Sequence, residues 1–343
     1  MKKLYLHIGH YKTGTSAFQS YCADNAAGLA RRGLLYPKAG RGVSAPTSHA
    51  GLAIPLAAEH GFHPPRWFGT GPSTDEAFGA LHAELGSKRQ RKALISSEEF
   101  VQLALCEDPD LALAALRRRL EPYSVKVIFT VREPLALLTS WYAQVSRGAT
   151  PRGTFLDFAA TMNPDFLSQD PIRARFARTF GAGHVRLLRY AGQGPWLKRR
   201  MLWSTRTVPY SRAHPPIANV TPGLDTLEEE RLGKLPPDAA AFTVTRATLE
   251  TLQAQIDRIN AGYAKLTRHL TTDPSALSLV ALARHYHDLI APAADRMPLD
   301  PREAVAMRDL AQDAGDGALR DTLLRIAGHI ERSQSATPQR GIA

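Results

Sequence analysis

Three features of the sequence predict an α/β fold: a parallel sheet flanked by helices, followed by an all-helical C-terminal portion. Short apolar, β-branched runs alternate with helix-period stretches through the first 190 residues, and a glycine-bearing loop joins the first run to the first helix. After residue 225 only helical periodicity remains. Strands separated by helices cannot be joined by tight hairpins, so they pair in parallel, with both faces covered.

The elements follow in order. Residues 4–8 read as a buried strand, residues 9–14 as a loop, and residues 16–32 as a helix that stops at Gly33. Residues 34–36 form a short strand before Pro37. Residues 38–73, rich in Gly, Pro, Ser and His, read as a long excursion of the functional or disordered kind. A helix over 74–86 precedes a strand at 93–96, and a helix over 109–120 precedes the clearest strand, 125–131, dense in Val, Ile and Phe. Pro134 opens a helix running to about residue 147, and 184–190 is a further strand. Helices are expected at 240–268, 275–292, 299–313 and 317–332. The domain reading is an α/β domain over 1–268, a helical extension over 269–335 packed on it, and a disordered tail at 336–343.

Composition is ordinary except in charge: the net formal charge is +11, and residues 1–200 hold 27 of the basic and 15 of the acidic residues, against 16 and 17 in the remainder. The basic N-terminal portion fits an anionic partner such as a nucleotide, a polyanion or a membrane surface, and equally a positively charged solvated face. Two cysteines, Cys22 and Cys106, are too few for a disulfide framework and are not in metal-ligand spacing. No stretch reaches the ~20 apolar residues of a membrane span. The apolar run after Lys2 and Lys3 is ended by His7, so it falls short of a signal core, and a cytoplasmic protein is expected.

The most informative segment is Leu4-Tyr5-Leu6-His7-Ile8-Gly9-His10-Tyr11-Lys12-Thr13-Gly14-Thr15-Ser16. It combines a strand, a loop bracketed by Gly9 and Gly14, one lysine, a hydroxyl cluster and a helix start. Glycines let backbone N–H groups approach an anion, and the helix start adds unpaired N–H groups and the positive end of its dipole. Lys12 contributes a point charge, and Thr13, Thr15 and Ser16 contribute hydroxyl donors. A nucleotide P-loop places lysine directly after its second glycine; here Thr15 follows Gly14 and the lysine stands two residues earlier. The phosphate-cradle geometry is suggested, the magnesium-nucleotide chemistry is not.

This segment resembles the sulfotransferase family that uses 3′-phosphoadenosine 5′-phosphosulfate (PAPS), whose 5′-phosphosulfate loop often reads H-I-G-x-x-K-T-G-T-[ST]. The family's second signature, a strand ending in arginine with a serine about eight residues later, is matched by Val127-Ile128-Phe129-Thr130-Val131-Arg132 and Ser140. The resemblance implies a P-loop-like phosphosulfate cradle made by His10, Tyr11, Lys12, Thr13, Gly14, Thr15 and Ser16, with Arg132 and Ser140 on the cofactor's 3′-phosphate. It covers about residues 3–230. Arg132 also stands at the C-terminal end of a parallel strand, where α/β proteins bind ligands, and its planar fork suits a phosphate. The competing reading for Arg132 is a surface pair with Glu133.

Between the two motifs, Ser96-Ser97-Glu98-Glu99-Phe100 follows a strand aimed at the same sheet edge. Sulfuryl transfer to an alcohol needs a base for the hydroxyl proton. In carbohydrate sulfotransferases that resemble this protein, a glutamate after the corresponding strand does this work. Glu98 is therefore expected to be the base and Lys12 the stabiliser of developing charge; Glu99 is the reserve base, or else caps the following helix or neutralises Lys12 or Arg132. In-line transfer of this kind involves no metal, and none is expected. The acceptor is a hydroxyl compound, a glycan or glycolipid being favoured, and not a nucleic acid. The rivals are a P-loop kinase of a small molecule and a non-catalytic anion- or nucleotide-binding module. Asn219 and the Lys198-Arg199-Arg200 run are minor cofactor candidates; His49, His60 and His63 read as ordinary loop histidines.

Overall fold

The computed structural model describes residues 1–42, 44–146, 153–191, 196–208, 224–234, 246–270 and 277–335. Asn219 and the expected tail at 336–343 lie outside the described residues. In chain order the elements are β1 (Lys2–His7), α1 (Thr15–Asp24), α2 (Ala26–Arg31), β2 (Leu34–Leu35), α3 (Ala50–Ala58), α4 (Thr74–Ser87), β3 (Lys92–Ser96), α5 (Pro109–Arg119) and β4 (Tyr123–Val131). They continue with α6 (Pro134–Ser146), α7 (Phe155–Thr161), α8 (Pro164–Ser168), α9 (Asp170–Phe180), β5 (Val185–Arg189), α10 (Trp196–Ser204), α11 (Leu224–Gly233) and α12 (Arg246–Arg268). The last three helices are α13 (Leu279–Ala294), α14 (Pro301–Asp313) and α15 (Gly317–Ser335).

The protein is α/β: a five-stranded parallel sheet flanked by helices, with a helical C-terminal part. Contacts group the chain into two compact units, one of residues 1–132, 169–219 and 265–272, the other of 133–168, 220–264 and 273–343.

The first unit holds the whole sheet, in the order β2-β3-β1-β4-β5. Leu4 and Leu6 of β1 are fully buried, as are Val127, Phe129 and Val131 of β4. Such continuous apolar strands are what a parallel sheet covered on both faces requires. On one face Tyr5, Leu94, Ile128 and Leu188 pack with Phe18, Tyr21 and Cys22 of α1, Leu29 of α2, and Leu197, Met201 and Leu202 of α10. The alternation of β-strand side chains sends Leu4 and Leu6 to the opposite face. The register aligns His7 of β1 with Ser96 of β3 and with Ile128 of β4. Because β3 flanks β1 on one side and β4 on the other, the chain reverses direction across the sheet at β1, the place where open α/β sheets hold ligands.

The second unit is helical. Leu282, Tyr286, Leu289 and Ile290 of α13 are buried, with Met307 of α14 and Leu323, Ile326 and Ile330 of α15. Its interior also holds ions: Arg231 Nη2 reaches Glu303 Oε1 at 2.9 Å, Arg231 Nε reaches Glu228 Oε1 at 3.0 Å, and the Tyr286 phenol donates to Glu303 at 2.6 Å.

Each expected strand is present within two residues of its reading. Two expectations are corrected. The helix expected over 16–32 is broken at Asn25, whose side-chain amide returns to the Tyr21 carbonyl at 2.9 Å and competes with the helix ladder. The excursion at 38–73 contains α3, buried at Leu52, Ala53, Ile54, Leu56 and Ala57, with Pro55 inside it. Glycine, proline and histidine around it concealed a nine-residue helix, seven of whose residues are buried. Periodicity assigns nothing between 148 and 183, where α7, α8 and α9 stand; α7 is opened by a capping box of Thr154 and Asp157. Among the described residues, no helix is long and apolar enough to cross a membrane.

Candidate active site

The loop after β1 keeps to the sheet for three residues before turning. The Ile8 N–H donates to the Ile128 carbonyl at 3.0 Å and the His10 N–H to the Thr130 carbonyl at 2.9 Å. Gly9 is needed for this close course: a Cβ there would sit 2.6 Å from His7 Nε2 and closer still to Thr15 Cγ2. The chain then passes through Lys12 at φ +61°, Thr13 at negative φ and Gly14 at φ +77°. That alternation aims successive backbone N–H groups into one concavity, the geometry of an anion nest. Left-handed backbone at a non-glycine residue costs roughly 1–2 kcal/mol, so Lys12 must be held there. Gly14 is the N-cap of α1 and has no side chain to satisfy the first turn, so the helix's leading N–H groups have no side-chain cap.

The strands clamp this loop from below. His7, fully buried, shares hydrogen bonds through Nδ1 with Ser96 Oγ at 2.7 Å and through Nε2 with Thr130 Oγ1 at 3.1 Å, tying the ends of three strands. Burial pushes its imidazole down to about 3, so it is neutral and structural. His10 is also buried, its ring beside Phe129, and the Thr13 hydroxyl donates to the His10 carbonyl at 2.5 Å. Thr15 is buried, whereas Ser16 is exposed at the helix start.

Arg132 comes to the same loop. Its Nη1 donates to the Lys12 carbonyl at 2.7 Å, and its guanidinium lies 5.2 Å from the centre of the Tyr190 ring. The side chain of Gln169 continues the β4 ladder beyond Val131, accepting from the Arg132 N–H at 2.9 Å and donating to the Arg132 carbonyl at 2.6 Å. The two sequence motifs, 120 residues apart, therefore meet at Lys12. Glu133 caps α6, accepting from the Leu135 N–H at 3.0 Å and the Ala136 N–H at 2.7 Å. Ser140 is buried on α6, in the second unit.

The two carboxylates leave β3 in different settings. Ser97 caps the 3₁₀ turn Glu98–Ala104 by accepting the Glu99 N–H at 3.2 Å, so capping belongs to Ser97 and not to the Glu99 side chain. Glu98 is half-buried, and its Oε2 accepts from Gln19 Nε2 of α1 at 2.8 Å. Glu99 is 7% exposed and accepts the phenol proton of Tyr11, whose oxygen in turn accepts from Gln102 Nε2 at 2.8 Å. Burial raises the Glu99 carboxyl to about 7; the Tyr11 hydrogen bond opposes the rise and the Glu98 charge adds to it. A carboxyl raised in this way stabilises the fold most below its unfolded value near 4.5, and the contribution is lost as pH rises through about 7.

Other candidates stand apart from this chemistry. His49 is buried; its Nδ1 accepts from the Ser96 N–H at 3.1 Å and its Nε2 donates to the Pro37 carbonyl at 3.1 Å, so both nitrogens are committed and burial holds it near 3. His60 is half-buried and His63 exposed. Lys198 is buried with its ammonium 4.9 Å from the centre of the Tyr21 ring, and burial lowers it, while Arg199 and Arg200 are exposed. Among the described residues there is no group of three or more His, Cys, Asp or Glu placed to hold a metal ion. Sequence reasoning missed Gln19, Gln102, Gln169 and Tyr190; only Gln19, one helical turn after Thr15, carried a spacing signal.

No family model and no curated protein matches the chain. Among solved structures it is similar to the crystal structure of a sulfotransferase from Alicyclobacillus acidocaldarius, with 13% identity and a TM-score of 0.42, over 78% of this chain and 96% of that one. A likeness so faint carries no functional argument.

Proposed function

We propose that this protein is a PAPS-dependent sulfotransferase acting on a hydroxyl group. The observation that carries the reading is the meeting of Arg132 with the Lys12 loop at the ligand-binding edge of the sheet, beside a carboxylate pair from the neighbouring strand. The donor set fits a nucleotide bearing a 3′-phosphate and a 5′-phosphosulfate: a concavity of N–H groups, a helix start, one lysine, hydroxyls and an arginine, with glycine at position 9, where a Cβ would collide with His7 and Thr15, and at position 14, where φ is +77°. Residues 10–16 hold the 5′ end, and Arg132 holds the 3′-phosphate. When bound, PAPS supplies the sulfuryl group and a phosphate leaving group for direct in-line transfer.

Lys12 and the loop N–H groups are pre-aimed donors for charge that grows on the leaving and sulfuryl oxygens, and such donors need no reorganisation as the charge appears. Glu98 accepts the acceptor's hydroxyl proton at its carboxylate. Gln19 holds that carboxylate by donating to Oε2, and an amide has no acidic proton to give in return. The acceptor class is a hydroxyl compound, with carbohydrate favoured by the Ser-Ser-Glu-Glu run.

Titration of the purified protein with adenosine 3′,5′-bisphosphate and with ATP tests the reading. The bisphosphate is expected to bind at least about tenfold more tightly, a difference near 1.4 kcal/mol. Arg132→Ala is expected to erase that preference. Preferential binding of magnesium-ATP would replace the reading with a kinase.

A further inference from the structure

The Lys12 backbone is fixed from three sides, and two of the three clamps are already accounted for. Arg132 holds its carbonyl, and the Thr13 hydroxyl closes the turn back onto His10. The third clamp acts through Tyr11, the residue immediately before Lys12. Gln102 Nε2 is a donor only, so it occupies a lone pair of the Tyr11 oxygen and leaves the phenol proton to point at Glu99. Burial raises the Tyr11 phenol well above its ordinary range, so it remains a donor throughout the working pH. Gln102 and Glu99 both stand on the 3₁₀ turn that follows β3, a rigid support whose own backbone is capped by Ser97.

We infer that Tyr11 and Glu99 form a latch that positions the anion loop, Glu99 accepting the hydrogen bond of the Tyr11 hydroxyl so that Lys12 keeps its left-handed conformation. Glu99 is then a positioning residue, and the proton acceptor of the reaction is its half-exposed neighbour. The partners divide the work: Glu98 is held by a neutral amide and is reachable from solvent, whereas Glu99 is 7% exposed and spends its oxygen on the loop. The inference rests on the reading of residues 10–16 as the site of a nucleotide's 5′ phosphate end.

The test uses Tyr11→Phe, Glu99→Leu, Glu99→Gln and the Tyr11→Phe/Glu99→Leu double variant, each checked for an unchanged melting profile. Calorimetric titrations use adenosine 3′,5′-bisphosphate and adenosine 3′-monophosphate. Tyr11→Phe and Glu99→Leu are each expected to weaken the bisphosphate about tenfold and leave the 3′-monophosphate unchanged, because only the 5′ group touches the loop. The double variant is expected to be no weaker than either single one, as for two halves of one contact. Glu99→Gln, whose amide oxygen still accepts the phenol proton, is expected to bind within about twofold of wild type. Wild-type affinity in Tyr11→Phe overturns the latch, as does equal weakening of both nucleotides, which marks a general structural role. Glu99→Gln as weak as Glu99→Leu overturns it too. If the wild-type protein binds neither nucleotide, the site reading itself falls, and the latch with it.

Discussion

Glu98→Gln is expected to lose about 10²–10⁴-fold in turnover while binding adenosine 3′,5′-bisphosphate as tightly as wild type, the range that a positioned general base contributes. The substitution keeps the size of the side chain and its ability to accept from Gln19 Nε2, which donates to Oε2 at 2.8 Å; what it removes is the negative charge and with it the capacity to take a proton. Nucleotide affinity stays because the base faces the acceptor hydroxyl and not the donor's phosphates. The paired control is Glu99→Gln, expected to turn over within a few-fold of wild type. A dead Glu99→Gln beside an active Glu98→Gln would exchange the two roles. Were both active, the base would lie elsewhere, and of the histidines in the 38–73 segment His49 would be excluded, since both its nitrogens are committed to the backbone.

Lys12→Ala is expected to lower turnover by about 10²–10³-fold, the usual effect of removing one preorganised donor to developing charge. Affinity for the desulfated product nucleotide is expected to fall far less. The reasoning is differential: an ammonium aimed at charge that grows during transfer contributes little to the resting complex and much to the barrier. The backbone adds a control. Lys12 sits at φ +61°, and alanine is no more at ease there than lysine, so the alanine variant isolates the ammonium. Lys12→Gly relieves the strain and removes the same charge, so it is expected to be as slow as the alanine variant. Activity restored by glycine would place the effect in the backbone instead.

Much of the sheet was legible because parallel strands are buried on both faces and therefore read as unbroken apolar runs. The loop and Arg132 were legible for a different reason: glycines, one lysine and a strand-ending arginine are chemically conspicuous. What stayed hidden depends on contacts far apart in sequence. Gln169, an ordinary glutamine between two short helices, extends the β4 ladder by pairing both backbone groups of Arg132, and no spacing announces that. The different settings of Glu98 and Glu99, adjacent and identical in type, come from which helix or loop lies over each: α1 supplies Gln19 to one and the Lys12 loop supplies Tyr11 to the other. The helix at 50–58 was obscured by its own proline and by the histidine and glycine residues around it.

The central claim, transfer of a sulfuryl group from PAPS to a hydroxyl, is tested most directly by following the label. The purified protein is mixed with sulfur-labelled PAPS and a fractionated extract of carbohydrates and glycolipids, and the label and the released nucleotide are both counted. The expected result is label in an acid-labile ester of one acceptor fraction, matched one for one by adenosine 3′,5′-bisphosphate and abolished in Glu98→Gln. Phosphoryl transfer from ATP into the same extract, with no label moved from PAPS, would contradict it.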